Sequence, residues 1–297
     1  MNLDFVKRVL SLEGKKAIVT GGNSGIGKAV AVSLAKMGAD VAIIGRDRQT
    51  LTETIDELKL INANCTGESV DIRSKQEIGD YFDSYYRVND NKLDILIANA
   101  GVCHYRRALD TTTEDLDYFF DINYKGTLYC CQNAAKAMKE QMSGNILIVT
   151  SVNALYPLPP QAAYSSTKGA LEVLMQCLAV DLAPFNIRVN TLAPGAIRTN
   201  IGRNNPKGGP PAKPAPPAAL AATTQAASTQ AAQSEQQITQ QPAPIRFSGT
   251  ARPGLPLGRV GEPEDMGDAV ACLVSDAFRY MTGSTILIDG GLKLRNV

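Results

Sequence analysis

The chain lacks tryptophan and has one histidine, His104, in 297 residues. Zinc sites built from several imidazoles are thereby excluded, and a Cys/His hydrolase would depend on that single ring. No segment reaches the roughly 18 apolar residues needed to span a bilayer. The opening MNLDFVKRVLSLEGKK has no apolar stretch of signal-peptide length, and Asp4 and Glu13 argue against an acid-poor presequence. Net charge is scarce as well: 30 Lys+Arg against 29 Asp+Glu leaves +1, which gives no nucleic-acid signal. The six cysteines (Cys65, Cys103, Cys130, Cys131, Cys177, Cys272) include no CxxC pair. A chain this long needs no disulfide staples, so free thiols, a cytoplasmic location and no catalytic metal are expected.

What the chain does have is alternation. Periodic material begins at Lys16. Strand-like runs stand at 17–20 (AIVT), 41–44 (VAII), a short stretch ending near Val70–Ile72, 93–98 (LDILIA), 145–150 (NILIVT), 187–192 (IRVNTL) and 284–288. Between them lie helical patterns: one through Val30, Leu34 and Met37, then 48–60, a polar helix to about Arg87, one or two helices over 113–140, 161–183 ended by Pro184, and Pro263–Val274. Strands separated by helices of about ten residues or more predict a doubly wound parallel α/β sheet. One domain over 12–292 accommodates them. Its interruption is the 39-residue tract at 206–244, with 11 Ala, 8 Pro and 7 Gln. Such a tract has too few large apolar groups to offset the entropy of ordering it. It reads as a disordered insertion, with a substrate lid or partner-binding segment as the sharper alternative.

Thr20-Gly21-Gly22-Asn23-Ser24-Gly25-Ile26-Gly27 links the first strand to the first long helix. Glycines there permit a tight turn and close approach of a pyrophosphate to a helix N-terminus. The spacing is GxxxGxG, neither GxGxxG nor a Walker loop. An acid at the end of the second strand would select NAD(H) by binding both ribose hydroxyls. Gly45 and Arg46 stand there instead, followed by Asp47. A guanidinium in place of an acid favours a 2′-phosphate, and hence NADP(H) over NAD(H), with Asp47 as the competing group. Asp71 is placed to meet an adenine edge or to cap the next helix. Asn99-Ala100-Gly101 offers a small-residue ledge on which a cofactor can lie.

Tyr164 and Lys168 are four apart at the start of a helix and share a face. A free phenol titrates near 10, too high for efficient proton exchange at neutral pH, and a neighbouring ammonium lowers it. Ser151 after a strand end and Asn123 in an earlier helix complete a candidate set. Tyr/Lys spacing alone is a weak signal; the company of these residues gives it weight.

At this point the chain resembles the classical short-chain dehydrogenase/reductase family, over about residues 12–292. The resemblance rests on the 20–27 loop, Asp71, the ordered set Asn123, Ser151, Tyr164 and Lys168, the Pro194-Gly195 turn, and Asp289-Gly290-Gly291. It implies a Rossmann-type sheet of seven strands flanked by helices, and homodimers or homotetramers. It further implies hydride transfer between a nicotinamide and a ketone, aldehyde or secondary alcohol. Tyr164 is then the general acid/base, Ser151 the oxygen stabiliser, Lys168 the group lowering the tyrosine pKa and holding ribose, and Asn123 the support of a relay water. Cofactor contacts fall on Gly21, Asn23, Ser24, Gly25, Ile26, Gly27, Arg46, Asp71, Ile72, Asn99, Ala100, Gly101, Tyr164, Lys168, Pro194, Gly195, Ile197 and Thr199. Two departures stand out. Ala98 replaces an asparagine of the family pattern, and the 206–244 tract enters where the family carries a substrate loop.

Candidate pocket residues are Cys103, His104, Tyr105, Val152, Leu155, Tyr156, Pro157, Leu158 and Ile197, which suit a partly apolar carbonyl. Arg106 and Arg107 suit either a carrier phosphate or a solvated loop edge. The alternatives to a general carbonyl reductase are a 3-oxoacyl reductase acting on acyl-carrier or coenzyme A thioesters, and a non-catalytic cofactor-binding scaffold.

Overall fold

The computed structural model describes residues 3–201 and 255–296. The tract at 206–244 lies outside the described residues. Seven strands form one sheet: β1 Lys16–Thr20, β2 Asp40–Gly45, β3 Thr66–Ser69, β4 Ile95–Ala98, β5 Gly144–Val149, β6 Ile187–Pro194 and β7 Thr285–Ile288. Their order is β3-β2-β1-β4-β5-β6-β7. Every neighbouring pair is parallel. The helices are α1 Leu3–Leu10, α2 Gly25–Lys36, α3 Arg48–Ile61, α4 Lys75–Val88, α5 Thr113–Phe119, α6 Thr127–Gln141, α7 Ala162–Leu182 and α8 Pro263–Leu273.

Successive strand residues point to opposite faces, and both faces of the inner strands are covered, which is why those strands read as largely apolar runs, unlike the edge strand β3. On one side Ile18, Ile44, Leu96, Ile146 and Ile148 pack with Phe82 of α4, Met138 of α6 and Leu171 and Met175 of α7. On the other, Val19, Ile43, Ile97 and Leu147 pack with Leu34 of α2, Leu58 of α3 and Val270 of α8. Each fully buried aliphatic side chain contributes about 1.5–3 kcal/mol. All six cysteines are free.

Three boundaries differ from expectation. Periodic structure starts before Lys16, because LDFVKRVL forms α1; none of its residues is buried, so no core pattern marks it. The third strand ends at Ser69, ahead of Val70–Ile72. Val70 and Ile72 are nevertheless core residues, so their apolar character reported burial outside the strand. The 113–140 stretch divides into α5, a π-helical segment Phe120–Gly126, and α6. A π segment widens the helix locally and often marks a functional position.

Candidate active site

The candidate residues gather at the carboxyl ends of β1 to β6, around the β1/β4 reversal of strand order. β1 runs into the glycine turn, where Gly21 and Gly25 have φ of +62° and +51°. A side chain would strain both. A Cβ on Gly27 would overlap the Gly21 carbonyl oxygen, so the turn closes tightly on itself. Ser24, the N-cap of α2, makes no side-chain cap hydrogen bond. The first N–H groups of that helix therefore receive no acceptor from it, as an anion-binding terminus requires.

Asn99 ties the turn to β4. Its Nδ2 donates to the carbonyls of Thr20 and Gly21 at 3.0 and 3.3 Å. The Thr20 hydroxyl accepts from the N–H groups of Asn99 and Ala100 at 3.0 and 2.9 Å. Thr20 is thus a supporting residue that its place in the motif hinted at and its chemistry did not. Ala98 is a buried β4 residue packed in the core. Across the turn, a Cβ on Gly25 would sit 3.2 Å from Thr199 Cγ2, so Thr199 closes over the loop. Gly195 N donates to the Ile288 carbonyl at 2.9 Å, and Ile197 bridges to Gly261.

At the end of β2, the Asn23 side chain lies over Gly45, and a Cβ on Gly45 would overlap its Oδ1. Asn23 is held there by donating to the Thr50 hydroxyl at 2.7 Å. A side chain at position 45 would have to displace Asn23. Asp47 is engaged as the N-cap of α3, accepting from Thr50 N at 2.8 Å and from its hydroxyl at 2.9 Å. The Thr50 N–H holds its carboxyl below the usual carboxylate value. Asp71 accepts from Arg73 Nε at 2.9 Å and from Arg73 N at 3.0 Å. Its carboxyl is lowered chiefly by that guanidinium, with Arg46 adding to the effect. Ser74, rather than Asp71, caps α4. Ile72 is buried beside the π segment, where a Cβ on Gly126 would come within 2.8 Å of its carbonyl oxygen.

The chemistry-bearing set is buried. Lys168 Nζ donates to the Val149 carbonyl at 2.8 Å and lies 5.9 Å from the Tyr164 ring centroid. Burial pushes its pKa down to about 8, while Cys103 and Glu172 act against that. Burial also pushes the Tyr164 phenol up, Cys103 adds to this, and a hydrogen bond with Ser151 pulls it back. The expectation of a phenol lowered by its ammonium neighbour is therefore corrected for the site as described: desolvation dominates, Lys168 is not among the groups that lower the phenol, and the phenol keeps its proton. The Ser151 hydroxyl also accepts from Asn153 N at 3.1 Å.

Asn123 sits in the π segment, fully buried. Its Oδ1 accepts from Val102 N at 2.8 Å. Its Nδ2 donates to Val102 O and to the Thr167 hydroxyl, both at 3.1 Å. The side-chain amide, expected to support a water, is committed to protein partners and fixes the 101–102 backbone. A Cβ on Gly101 would lie 3.2 Å from Asn123 Oδ1 and 3.4 Å from Lys168 Nζ, which places all three together.

Around this set the loop residues sort themselves. Cys103 accepts from Gln161 Nε2 at 3.1 Å, and burial pushes its thiol up to about 11. His104 stacks on Phe119 with centroids 4.5 Å apart. Its Nε2 is 3.3 Å from Asp115, whose other oxygen lies 3.0 Å from Arg106 Nε. Arg106 is exposed, in keeping with a solvated loop edge, and its guanidinium also pairs with the buried Asp115 carboxylate, which nothing in the sequence singled out. Val152 is buried, whereas Tyr105, Leu155 and Tyr156 are exposed. Two concavities of about 480 and 420 Å³ open elsewhere, around Met37 and Asn62 and around Glu68 and Tyr85, and neither touches Tyr164.

A profile described as short chain dehydrogenase matches residues 15–208, and one described as enoyl-(acyl carrier protein) reductase matches 226–293. Versicolorin reductase of Emericella nidulans is 29% identical over 283 residues, 94% of this chain and 96% of that protein. The 3alpha-hydroxysteroid dehydrogenase of Mediterraneibacter gnavus is 31% identical, over 96% and 99% of the two chains. Among solved structures, the 3-ketoacyl-(acyl-carrier-protein) reductase of Brucella melitensis complexed with NADH superposes with a TM-score of 0.76 at 27% identity, covering 95% and 100%. Sequence, strand order and the ends of the strands agree, and the chain belongs to the short-chain dehydrogenase/reductase family of oxidoreductases.

Proposed function

We propose that this protein is an NADP(H)-dependent oxidoreductase that interconverts a ketone or aldehyde with an alcohol, using Tyr164 as the general acid/base. The observation that carries this reading is the buried Tyr164 phenol, engaged by Ser151 and with the Lys168 ammonium 5.9 Å from its ring centroid. The residues fit a dinucleotide. The Gly21–Gly27 turn and the start of α2 suit its pyrophosphate, Asp71 and Ile72 its adenine, Asn99, Ala100 and Gly101 its flat approach, and Pro194, Gly195, Ile197 and Thr199 its nicotinamide end. Arg46 suits a 2′-phosphate. Gly45 carries no acid at the end of β2, and Asp47 is occupied in capping α3; both favour that assignment. When bound, the nicotinamide supplies or accepts the hydride.

The chain's own groups handle the oxygen and its proton. In reduction the Tyr164 phenol donates its proton to the substrate oxygen as negative charge develops there. The Ser151 hydroxyl donates a hydrogen bond to the same oxygen. The Lys168 ammonium stabilises the phenolate left behind, and Asn123 keeps the 101–102 backbone seated against it. A phenol held neutral is the loaded form for reduction. The half-exposed Tyr105, Leu155 and Tyr156 favour a partly apolar substrate. The likeness to the Brucella melitensis reductase supports a second reading, a 3-oxoacyl thioester substrate. The outward face of α7 exposes Val173, Cys177 and Val180 at helical spacing, which supports association with a second copy.

The test is cofactor oxidation with a panel of ketones, aldehydes and 3-oxoacyl thioesters, each run with NADPH and NADH. Tyr164→Phe is expected to lose about 10²–10⁴-fold in turnover while still binding NADPH. Undiminished turnover in that variant overturns the mechanism.

A further inference from the structure

Glu172 lies on α7 one turn beyond Lys168 and is buried. Its carboxylate meets three threonine hydroxyls from adjacent strands beneath the helix: one just after β5, one within β6 and one at the start of β7. Thr150, directly after β5, donates to Oε1 at 2.5 Å. Thr191 of β6 and Thr285 of β7 donate to Oε2 at 2.7 and 2.6 Å. Thr191 and Thr285 are partners in the β6–β7 register, and Thr150 N donates to the Leu192 carbonyl. The three hydroxyls therefore come from one rigid patch of sheet.

An ionised carboxylate only accepts hydrogen bonds, and here three hydroxyl donors converge on one carboxylate. The Leu192 carbonyl, 3.1 Å from the Thr150 hydroxyl, competes for one of the three protons, and Thr191 and Thr285 contact each other at 3.1 Å. Burying a carboxylate under a helix is unfavourable compared with apolar packing. Its use lies in its neighbours. Val149, Thr150 and Ser151, consecutive at the end of β5, engage Lys168, Glu172 and Tyr164, which sit on successive turns of one helix face.

We propose that Glu172 is a positioning residue for the Tyr164/Lys168 pair: clamped by Thr150, Thr191 and Thr285, it sets how α7 seats on the sheet and supplies the buried negative charge that keeps Lys168 an ammonium. The groups facing Lys168 are the Cys103 thiol from the segment after β4, the Asn123 amide from the π segment, and Tyr164 and Glu172 from its own helix. Burial keeps the thiol and the phenol protonated, with the thiol pushed up to about 11. Only Glu172 carries the donors that an anion demands.

The test follows Lys168 directly, by carbon-13 NMR of labelled lysine across a pH series, with the resonance assigned by its loss in Lys168→Arg. Glu172→Gln is expected to lower the Lys168 titration by about one pH unit. Thr285→Val is expected to shift it the same way by less. The alkaline limb of kcat/KM for carbonyl reduction should move with it, and Glu172→Asp should restore part of the shift. Circular dichroism identifies which variants are folded, and if Glu172→Gln is not, Thr285→Val and Thr191→Val carry the test. A folded variant with an unmoved Lys168 titration overturns the inference. The kinetic arm rests on the proposed carbonyl reduction; the NMR arm does not, so a wild-type chain inactive on every carbonyl would reject that activity and leave this test standing.

Discussion

Replacing Lys168 by methionine isolates what the buried ammonium does to stability. Burial brings this amine from its ordinary 10.5 down to about 8. At about 1.4 kcal/mol per pH unit, that difference is about 3 kcal/mol against the fold wherever the amine is charged in both states. Below about pH 8 both folded and unfolded chains hold the proton, and the whole penalty is present. Between about 8 and 10.5 the unfolded chain still binds a proton that the folded chain has released, so the contribution of Lys168 to stability improves as pH rises. Above that window both are neutral and the penalty is gone. Lys168→Met removes the penalty at every pH. It also removes the hydrogen bond to the Val149 carbonyl, a loss of about 1–3 kcal/mol that changes little with pH. The variant should therefore be close to its parent near neutral pH and about 1–3 kcal/mol less stable near pH 10. The buried Tyr81, Tyr85 and Tyr86, all pushed up by desolvation, oppose this trend, because they lose stability as pH rises. They are common to both proteins and cancel in the difference. Making the comparison in a Tyr164→Phe background removes the nearest titrating neighbour as well. Urea denaturation at a series of pH values reads the difference directly. A gap between the two proteins that stays flat to within about 0.5 kcal/mol across the window refutes the burial argument.

Two further outcomes are expected. Arg46→Ala should weaken NADPH binding by about 10–100-fold, the loss of one charge-assisted contact, and leave NADH nearly unchanged; equal wild-type affinities for the two cofactors in direct titration would reject the 2′-phosphate assignment. Asn123→Ala leaves the Val102 N–H and carbonyl without their side-chain partner and should lower stability by about 2–4 kcal/mol, read as a fall in Tm, together with loss of turnover; an unchanged Tm would show that this amide is not the anchor of the 101–102 backbone.

The alternation of apolar runs with helical periods was enough to read the sheet, since parallel strands covered on both faces leave an unmistakable pattern. The glycine turn, Tyr164 and Lys168 were legible because their chemistry depends on spacing within one element. What escaped depends on contacts between distant elements. Glu172 stands four residues after Lys168, a spacing visible in the sequence, yet nothing local says that it points into the sheet toward threonines 22 and 113 positions away. Asp115 drew no attention in the sequence, and only the fold brings His104 and Arg106 onto it. The direction of the Tyr164 pKa was misjudged for the same reason: a neighbouring charge can be inferred from spacing, whereas the depth of desolvation cannot.

The π-helical segment from Phe120 to Gly126 has a consequence for how this chain tolerates insertions and deletions. A helix advances about 100° per residue, so adding or removing one residue rotates everything downstream by that amount. Phe119, just before the segment, faces the cluster around Tyr164, while Cys131 and Met138 after it face the sheet. The wide turn takes up the phase difference between those two surfaces and leaves Asn123 inward at the joint. Deleting a single residue within the segment would change composition hardly at all. It would let the backbone relax into one regular helix, and either the face toward Tyr164 or the face on the sheet would then turn away from its partner. Tolerance of length changes should therefore drop sharply across these seven residues, even where the side chains themselves accept substitution.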